Sequence, residues 1–380
     1  MIGVAVGTMA LVIVMSVFNG LGDLIRELFE GFDAELKIEA TVGKSFLANE
    51  NWLDSIRTLE GVAVVTEVIE DNALLEYNGH QMVGRIKGVS ENFLDQDRFS
   101  NGYFWGDTTL GTETRPKAIL GRGVGFFLSV NLDNVNTPLK VFYPKAPRSA
   151  ASMDPSQYYS SAMLEPVAYF SIDRQFDDEY VIAPISFVRD LLKYGEKRTS
   201  LEVKVAEGYR IDDVQQRLKE HLGQSFLIKN TDEQHAEIIR TVEMEKFFTF
   251  LTLAFILAIA SFNIFFSLSM LAIEKKKDIA VLKAMGATDS LVRRIFLKQG
   301  MLIAFSGAVI GLVLAYLVVW LQQTFGLVSL GISSAVVDAY PVKVIWSDFF
   351  WITLTVISIT MLASWRPAWI ASQVDTVKEV

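Results

Sequence analysis

Apolar positions in this chain follow two regimes. Four long runs carry no charge, and between the first and second of them lies a segment of 224 residues, 23–246, in which apolar and polar positions alternate over short distances. Residues 247–273 are 27 in a row without a charge, followed at once by Glu274-Lys275-Lys276-Lys277. An α-helix rises about 1.5 Å per residue and a bilayer core is about 30 Å thick, so roughly 20 apolar residues cross it. Residues 2–22 reach Asp23 without a charge, and 299–337 carry none, with a helix end expected near Gln322-Gln323 and Gly326. The last run, 349–365, is 17 residues long, opens on Trp346 and Phe350-Trp351 and closes on Trp365-Arg366-Pro367. Aromatic belts and a terminal arginine belong at membrane interfaces. The pattern predicts four transmembrane helices, 1–22, 247–273, 299–325 and 346–366, with a loop 326–345 and a tail 367–380.

Within 23–246 the periods are those of an α/β fold. Leu36, Ile38, Ala40 and Val42 alternate with polar neighbours as a half-buried strand does, and Trp52, Ile56 and Leu59 recur at helical spacing. Strands are predicted over 62–69 and 74–89, the latter turned by Asn78-Gly79, a pair suited to the positive φ angles of a tight hairpin. Leu201, Val203 and Val205 predict another strand, Val214 and Leu218 a helix, and 226–228 a short strand. A β-α-β order therefore stands on both sides of an insert. The division expected is a lobe made of 35–90 and 199–230 with a second lobe, 91–198, inserted in it. Within the insert, strands are expected at 117–120, 138–143, 166–172 and 180–183 and a helix at 185–194. Residues 144–165, with Pro144, Pro147 and Pro155 in a Ser/Ala/Met/Tyr mixture, read as an exposed loop, and loops longer than about 12–15 residues are usually functional or disordered.

Two further signals concern helix ends. Thr231-Asp232-Glu233-Gln234 fits a capping box with two carboxylates on the positive end of a helix dipole, and no proline or glycine interrupts 232–273. A stalk, 231–246, is expected to lead into the second span. After that span, 278–285 lacks helix breakers, places Ile279, Leu282 and Met285 at helical spacing and stops at Gly286. Thr288-Asp289 then resembles a second cap before a short amphipathic helix carrying Leu291, Ile295 and Arg293-Arg294.

Charge fixes the orientation. The loop 274–298 holds seven basic and three acidic residues, so it is assigned to the cytoplasm, which places both termini inside and 23–246 outside. The formal net charge of −9 hides an asymmetry: that outer segment has 25 basic and 37 acidic residues, a net of −12. Nothing in this distribution suggests nucleic acid. Cysteine is absent, so an outer domain of this size is held by packing without disulfides. The chain begins within its first apolar run, and the expectation is that Met1 is an internal methionine of a longer protein.

Candidate chemistry is sparse. His80, His221 and His235 have no paired ligand spacing, and Asp177-Asp178-Glu179 lacks a surrounding cage. Gly43-Lys44-Ser45 has the end of a phosphate-binding loop but Ile38 where its first glycine belongs, and Gly121, Gly123 and Gly125 are spaced for a strand-to-helix turn, not for a dinucleotide. The glycine pairs Gly3 with Gly7 and Gly307 with Gly311 are G-x-x-x-G motifs, which let membrane helices approach closely. Asn19 and Asn263 are polar groups in or beside spans that favour partners over lipid.

These residues carry a resemblance. Gly3-Val4-Ala5-Val6-Gly7-Thr8-Met9-Ala10-Leu11-Val12 through Ser16-Val17-Phe18-Asn19-Gly20 resembles the first span of the lipoprotein-releasing (LolC/LolE) permeases. Val242-Glu243-Met244-Glu245-Lys246, Ala260-Ser261-Phe262-Asn263-Ile264, and Glu274-Lys275 through Ile279-Ala280-Val281-Leu282-Lys283-Ala284-Met285-Gly286-Ala287 are similar to that family's second span and cytoplasmic loop. Ala363-Ser364-Trp365-Arg366-Pro367-Ala368 resembles its closing motif. The loop pattern is shared by the wider FtsX/MacB-type permease superfamily.

The resemblance implies four transmembrane helices with a large extracytoplasmic porter-like α/β domain carrying an inserted lobe, in a multi-pass protein of the bacterial inner membrane whose large domain is periplasmic. It implies an ABC transporter permease, not an enzyme in its own right and without a cofactor of its own, that works with a separate ATPase binding ATP and Mg, a second permease copy or paralogue, a periplasmic lipoprotein carrier and lipoprotein cargo. The ATPase-coupling helix maps to Glu274, Lys275, Asp278, Ile279, Leu282, Lys283, Met285 and Gly286. The carrier-binding loop maps by position to Pro144, Pro147, Met153, Pro155, Tyr158 and Tyr159, and a lipid-anchor cavity to Met9, Val12, Val17 and Phe262. The family's cytoplasmic amphipathic stretch before the first span has no counterpart in this sequence. Two other functions are compatible with the superfamily: a MacB-like efflux permease and an FtsX-like regulator of a periplasmic cell-wall hydrolase.

Overall fold

The computed structural model describes residues 1–96, 103–134, 136–145, 158–329 and 339–373. Contacts divide the chain into two compact units, one built on Met1–Leu24 with the segment from Glu237 onward, the other on Ile25–Ala236. The helices, in chain order, are α1 (Ile2–Glu30), α2 (Glu50–Arg57), α3 (Arg122–Leu128), α4 (Arg174–Asp177), α5 (Ile185–Leu192), α6 (Ile211–Leu222), α7 (Thr231–Gln234), α8 (Ala236–Glu274), α9 (Lys276–Ala284), α10 (Asp289–Phe325) and α11 (Trp346–Ser372). The strands are β1 (Leu36–Ala40), β2 (Phe46–Leu47), β3 (Val62–Tyr77), β4 (His80–Val89), β5 (Tyr103–Gly106), β6 (Gly111–Thr112), β7 (Arg115–Gly121), β8 (Leu139–Pro144), β9 (Tyr159–Ser171), β10 (Tyr180–Pro184), β11 (Lys197–Arg198), β12 (Ser200–Val205) and β13 (Phe226–Asn230).

In the first unit, α1, α8, α10 and α11 are each long and apolar enough to cross a membrane. Their shared core is Val4, Leu11, Val12 and Met15 of α1 against Leu257, Ile264 and Leu268 of α8, Ala308 and Ala315 of α10, and Ile352 and Val356 of α11. Lipid is as apolar as leucine, so these helices gain by close approach and dispersion more than by expelling water. Glycine supplies the closeness: a Cβ on Gly311 would lie 2.5 Å from the Ala5 carbonyl oxygen, one on Gly307 2.9 Å from Val4 Cβ, and one on Gly7 2.6 Å from Leu257 Cδ1. Gly3 is different, since its Cβ would meet Ala260 at an ordinary 3.7 Å. Buried Thr8, Ser261, Thr360 and Ser364 donate their hydroxyls to carbonyls one turn back, at 2.8–2.9 Å, so none needs water.

In the second unit a large mixed sheet runs β13-β1-β12-β3-β4-β10-β7-β9-β5, with β8 bridging β3 and β9, and β11 pairs with β2 in a separate two-stranded sheet. Pairing is antiparallel except for β4 with β10 and β7 with β9. The outer strands β13-β1-β12 pack with α2 and α6 around Leu36, Ile38, Leu53, Ile56, Leu201, Val203, Val214 and Leu218. The middle of the sheet packs with α3 and α5 around Leu75, Ile86, Leu120, Val124, Val181 and Val188. The turn between β3 and β4 is the Asn78-Gly79 pair, with φ of 48° and 85°.

Several details differ from the periodicity. What reads as strands over 62–69 and 74–89 is a 16-residue β3 and a separate β4. The polar triplet Glu70-Asp71-Asn72 interrupts the apolar pattern without ending the strand, because Arg85 pairs with Glu70 and both Lys44 and Tyr143 with Asp71. The expected loop 144–165 is shorter than its composition suggests: β9 begins at Tyr159 and pairs antiparallel with β8, Pro144 opposite Tyr159. Capping also shifts by one residue. Asn230, not Thr231, accepts from the Glu233 amide at 2.8 Å, and the Glu233 carboxylate accepts the Asn230 amide at 3.1 Å. The helix expected to run unbroken from 232 is interrupted at His235, which leaves helical geometry at φ −114° before α8 starts at Ala236. His235 stacks on Phe29 with ring centres 3.5 Å apart and lies 2.6 Å from Asp33 through Nε2. The anticipated second amphipathic helix of the loop is the opening of α10, capped by Thr288 and continuous to Phe325.

Candidate functional site

The loop between α8 and α10 is built from its ends inward. Lys275 sits outside helical geometry, and α9 follows at Lys276. Its C-terminus is closed by a Schellman motif: the Ala287 amide donates to Leu282 O at 3.0 Å and the Gly286 amide to Lys283 O at 2.9 Å, with Gly286 at φ +99°. A residue with a Cβ would be strained there. Ile279 and Ala280 are buried, in one cluster with Ala272, Val292, Phe296, Ala368 and Ala371, so α9 is mounted on α8, α10 and α11. Lys283 reinforces this mount by donating to Ser372 O at 2.7 Å and pairing with Asp289 at 2.7 Å.

The sequence places Ile279, Leu282 and Met285 on one stripe, and the helix separates them. Ile279 is 4% exposed and faces inward, whereas Leu282 is 43% and Met285 81% exposed, alongside Val281. Glu274, Lys275 and Asp278 are exposed, with Lys275 paired to Asp278 at 3.0 Å. The hydrogen bond that Lys275 Nζ donates to that carboxylate raises the Lys275 pKa above its ordinary value. This arrangement can present an apolar knob in a cationic surround.

The other candidates are dispersed. Pro144 ends β8, and Tyr158 and Tyr159 stand at the start of the paired arm, joined by the Lys145 amide donating to Tyr158 O at 2.8 Å; Pro147, Met153 and Pro155 lie outside the described residues. Of the proposed anchor residues, Val12 is buried in the helical core, Met9 and Val17 are half-buried, and Phe262 is 57% exposed on α8. Asn19 has partners in Lys246 and Asp348, while Asn263 is exposed. His80 is exposed, His221 meets Ser55 at 3.1 Å and His235 meets Asp33, and among the described residues no three His, Cys, Asp or Glu side chains are grouped to hold a metal. Asp177 accepts from Ser171 Oγ and the Ile172 amide, and burial raises its pKa. The glycines 121, 123 and 125 admit the backbone of Asp177, Asp178 and the Tyr169 ring.

Two features escaped the sequence reading. Gly300 faces Ser364 so closely that a Cβ would lie 2.2 Å from its hydroxyl, a contact between α10 and α11 that no G-x-x-x-G spacing announces. Lys87 and Glu202 form an ion pair of 2.8 Å with both side chains at most 3% exposed, and the Lys87 ammonium lies 4.5 Å from the centre of the Phe32 ring. Alternation puts charged residues outward on a strand, so neither could be anticipated.

Residues 250–375 match the family model described as FtsX-like permease C-terminal. With four membrane-length helices and a mounted loop helix between the second and third, the chain resembles FtsX-like permeases, and the matched residues cover its last three membrane-length helices in whole or in part. The resemblance read from its motifs extends over nearly its full length. It is 21% identical to the lipoprotein-releasing system transmembrane protein LolE of Haemophilus influenzae, over 97% of this chain and 89% of that protein. It is 26% identical to LolC of Neisseria meningitidis serogroup B, over 84% of this chain and 75% of that protein. Among solved structures, the periplasmic region of MacB from Actinobacillus actinomycetemcomitans aligns with 55% of this chain and 93% of its own, at 14% identity and a TM-score of 0.37. Like those transmembrane proteins, the chain carries several membrane-length helices, four among its described residues.

Proposed function

We propose that this chain is the membrane subunit of an ABC transporter that releases lipoproteins from the inner membrane to a periplasmic carrier. ATP, with Mg, is hydrolysed in a separate subunit, and the resulting motion is passed mechanically through the helices of this chain. The observation that carries this reading is the near full-length similarity to LolE and LolC. The loop helix supports it physically. A two-turn helix with one face fixed by Ile279, Ala280 and Lys283 and the other exposing Val281, Leu282 and Met285 suits a grip by a partner, because the buried face transmits whatever displaces the exposed one.

Pairing with a second permease agrees with Asn263. This amide is exposed within the uncharged run 247–273, and a polar side chain facing hydrocarbon favours a neighbouring helix. The periplasmic arm that starts at Pro144 and Tyr159 is the proposed carrier contact. Incubation of the full-length chain in detergent with a periplasmic lipoprotein carrier tests this reading. Capture of the carrier is expected; capture of a cell-wall hydrolase in its place would move the chain to the FtsX-like regulators.

A further inference from the structure

Near the periplasmic boundary of the first unit, three membrane helices share an open groove of about 270 Å³. Its charged lining is Glu243 and Lys246 of α8 and Asp348 of α11, and its apolar lining includes Phe247 and Trp351. Phe247 is the first residue of the uncharged run of α8, and Trp351 belongs to the aromatic start of α11, so the groove lies where headgroups meet hydrocarbon. Both rings are about 60% exposed (Phe247 60%, Trp351 59%).

The charges are unevenly matched. Lys246 Nζ donates to Asn19 Oδ1 at 2.6 Å and to Asp348 Oδ2 at 3.4 Å, while Asn19 Nδ2 donates to the same carboxylate oxygen at 2.7 Å. An ammonium has three N–H groups, so one of Lys246's is left over. Glu243, one turn before Lys246, is exposed and has no ion pair among the described residues. The groove thus offers one free carboxylate, one spare cationic donor and an aromatic wall.

We infer that this groove is a binding site for a phospholipid with a phosphoethanolamine headgroup. Its primary ammonium donates to Glu243, a phosphate oxygen accepts the remaining Lys246 N–H, and an acyl chain lies along Phe247 and Trp351. Charge complementarity selects this class. Phosphoglycerol lipids bring a phosphate but no ammonium to satisfy Glu243, and phosphocholine brings a quaternary nitrogen with no N–H to donate. The site includes α11 and does not depend on the transport reading.

Native mass spectrometry of the full-length chain in detergent, given equal amounts of phosphatidylethanolamine, phosphatidylglycerol and phosphatidylcholine with identical acyl chains, tests the inference. Phosphatidylethanolamine should be retained about fivefold over each of the others, the order expected of one charge-assisted contact at a partly exposed site. Glu243→Gln, a change at an exposed position, should abolish that preference without reducing total lipid, and Trp351→Ala should lower retention of all three. Met244→Gln, at the neighbouring exposed residue, should leave the preference intact. Equal retention of the three lipids by the unaltered chain, a preference for phosphatidylcholine, or an unchanged preference in Glu243→Gln would overturn it.

Discussion

Replacing Leu282 and Ile279 by aspartate, one at a time, separates the two faces of the loop helix. Leu282 is 43% exposed, so in the isolated chain Leu282→Asp leaves the new carboxylate in water and costs no more than about 0.5 kcal/mol, as most surface changes do. If an ATPase covers this side chain, the change removes about 1 kcal/mol of leucine burial and leaves an unpaired carboxylate in the interface, at about 2–3 kcal/mol after relaxation. The sum, about 3–4 kcal/mol, is a loss of roughly two to three decades in affinity. Ile279 is 4% exposed within a cluster drawn from α8, α9, α10 and α11, so Ile279→Asp buries a charge in the chain itself and costs about 4 kcal/mol or more of stability. Co-purification with the ATPase and thermal unfolding in detergent measure the two effects. Leu282→Asp should lose the ATPase with an unchanged melting temperature, whereas Ile279→Asp should melt early. Normal recovery of the ATPase with Leu282→Asp would refute the assignment of the exposed face.

Three other perturbations test the packing and the electrostatics. Gly311→Ala forces a Cβ within 2.5 Å of the Ala5 carbonyl and should destabilise the helices by about 1–3 kcal/mol, while Gly3→Ala, with an open 3.7 Å contact, should be neutral or slightly stabilising; thermal melts in detergent compare them. Glu202→Gln strands the Lys87 ammonium and should cost about 3–5 kcal/mol, yet the double change Lys87→Met with Glu202→Leu should recover most of it, as tryptophan fluorescence on denaturation would report. Burial opposes ionisation of Asp71, but hydrogen bonds from Lys44, Tyr143 and the Asn72 amide outweigh it and hold its pKa below the ordinary 3.8. Its contribution to stability is therefore complete above that value and is lost as pH falls through the lower folded one; Asp71→Asn should remove this acid-limb loss and leave the rest of the stability–pH curve in place.

The membrane helices are legible in the sequence because lipid permits few alternatives: outside a closed β-barrel, a spanning backbone must be helical and about 20 apolar residues long. The Asn78-Gly79 hairpin is legible for a similar reason, since two consecutive positive φ angles select those residues. Local signals fail where tertiary partners decide. Asn230 and Thr231 are both competent caps, and the choice falls to Asn230 because Glu233 reaches back to its amide. Glu70 and Asp71 read as the end of a strand until Arg85, Lys44 and Tyr143, from other parts of the chain, pair with them. At the loop helix, spacing alone puts Ile279 and Leu282 on one stripe, whereas the neighbouring helices cover one and leave the other exposed. The Lys87–Glu202 pair and the Lys246–Asn19–Asp348 cluster join residues more than 100 positions apart, beyond the reach of any periodicity.

Transfer of a lipoprotein in proteoliposomes bearing this chain, its permease partner and the ATPase tests the central claim most directly. Release of an acylated protein to a soluble periplasmic carrier should require ATP, fall to background with an ATPase that binds but does not hydrolyse it, and disappear with Leu282→Asp in this chain. Transfer that continues at the same rate without hydrolysis, or that is indifferent to this chain's presence, would contradict the account.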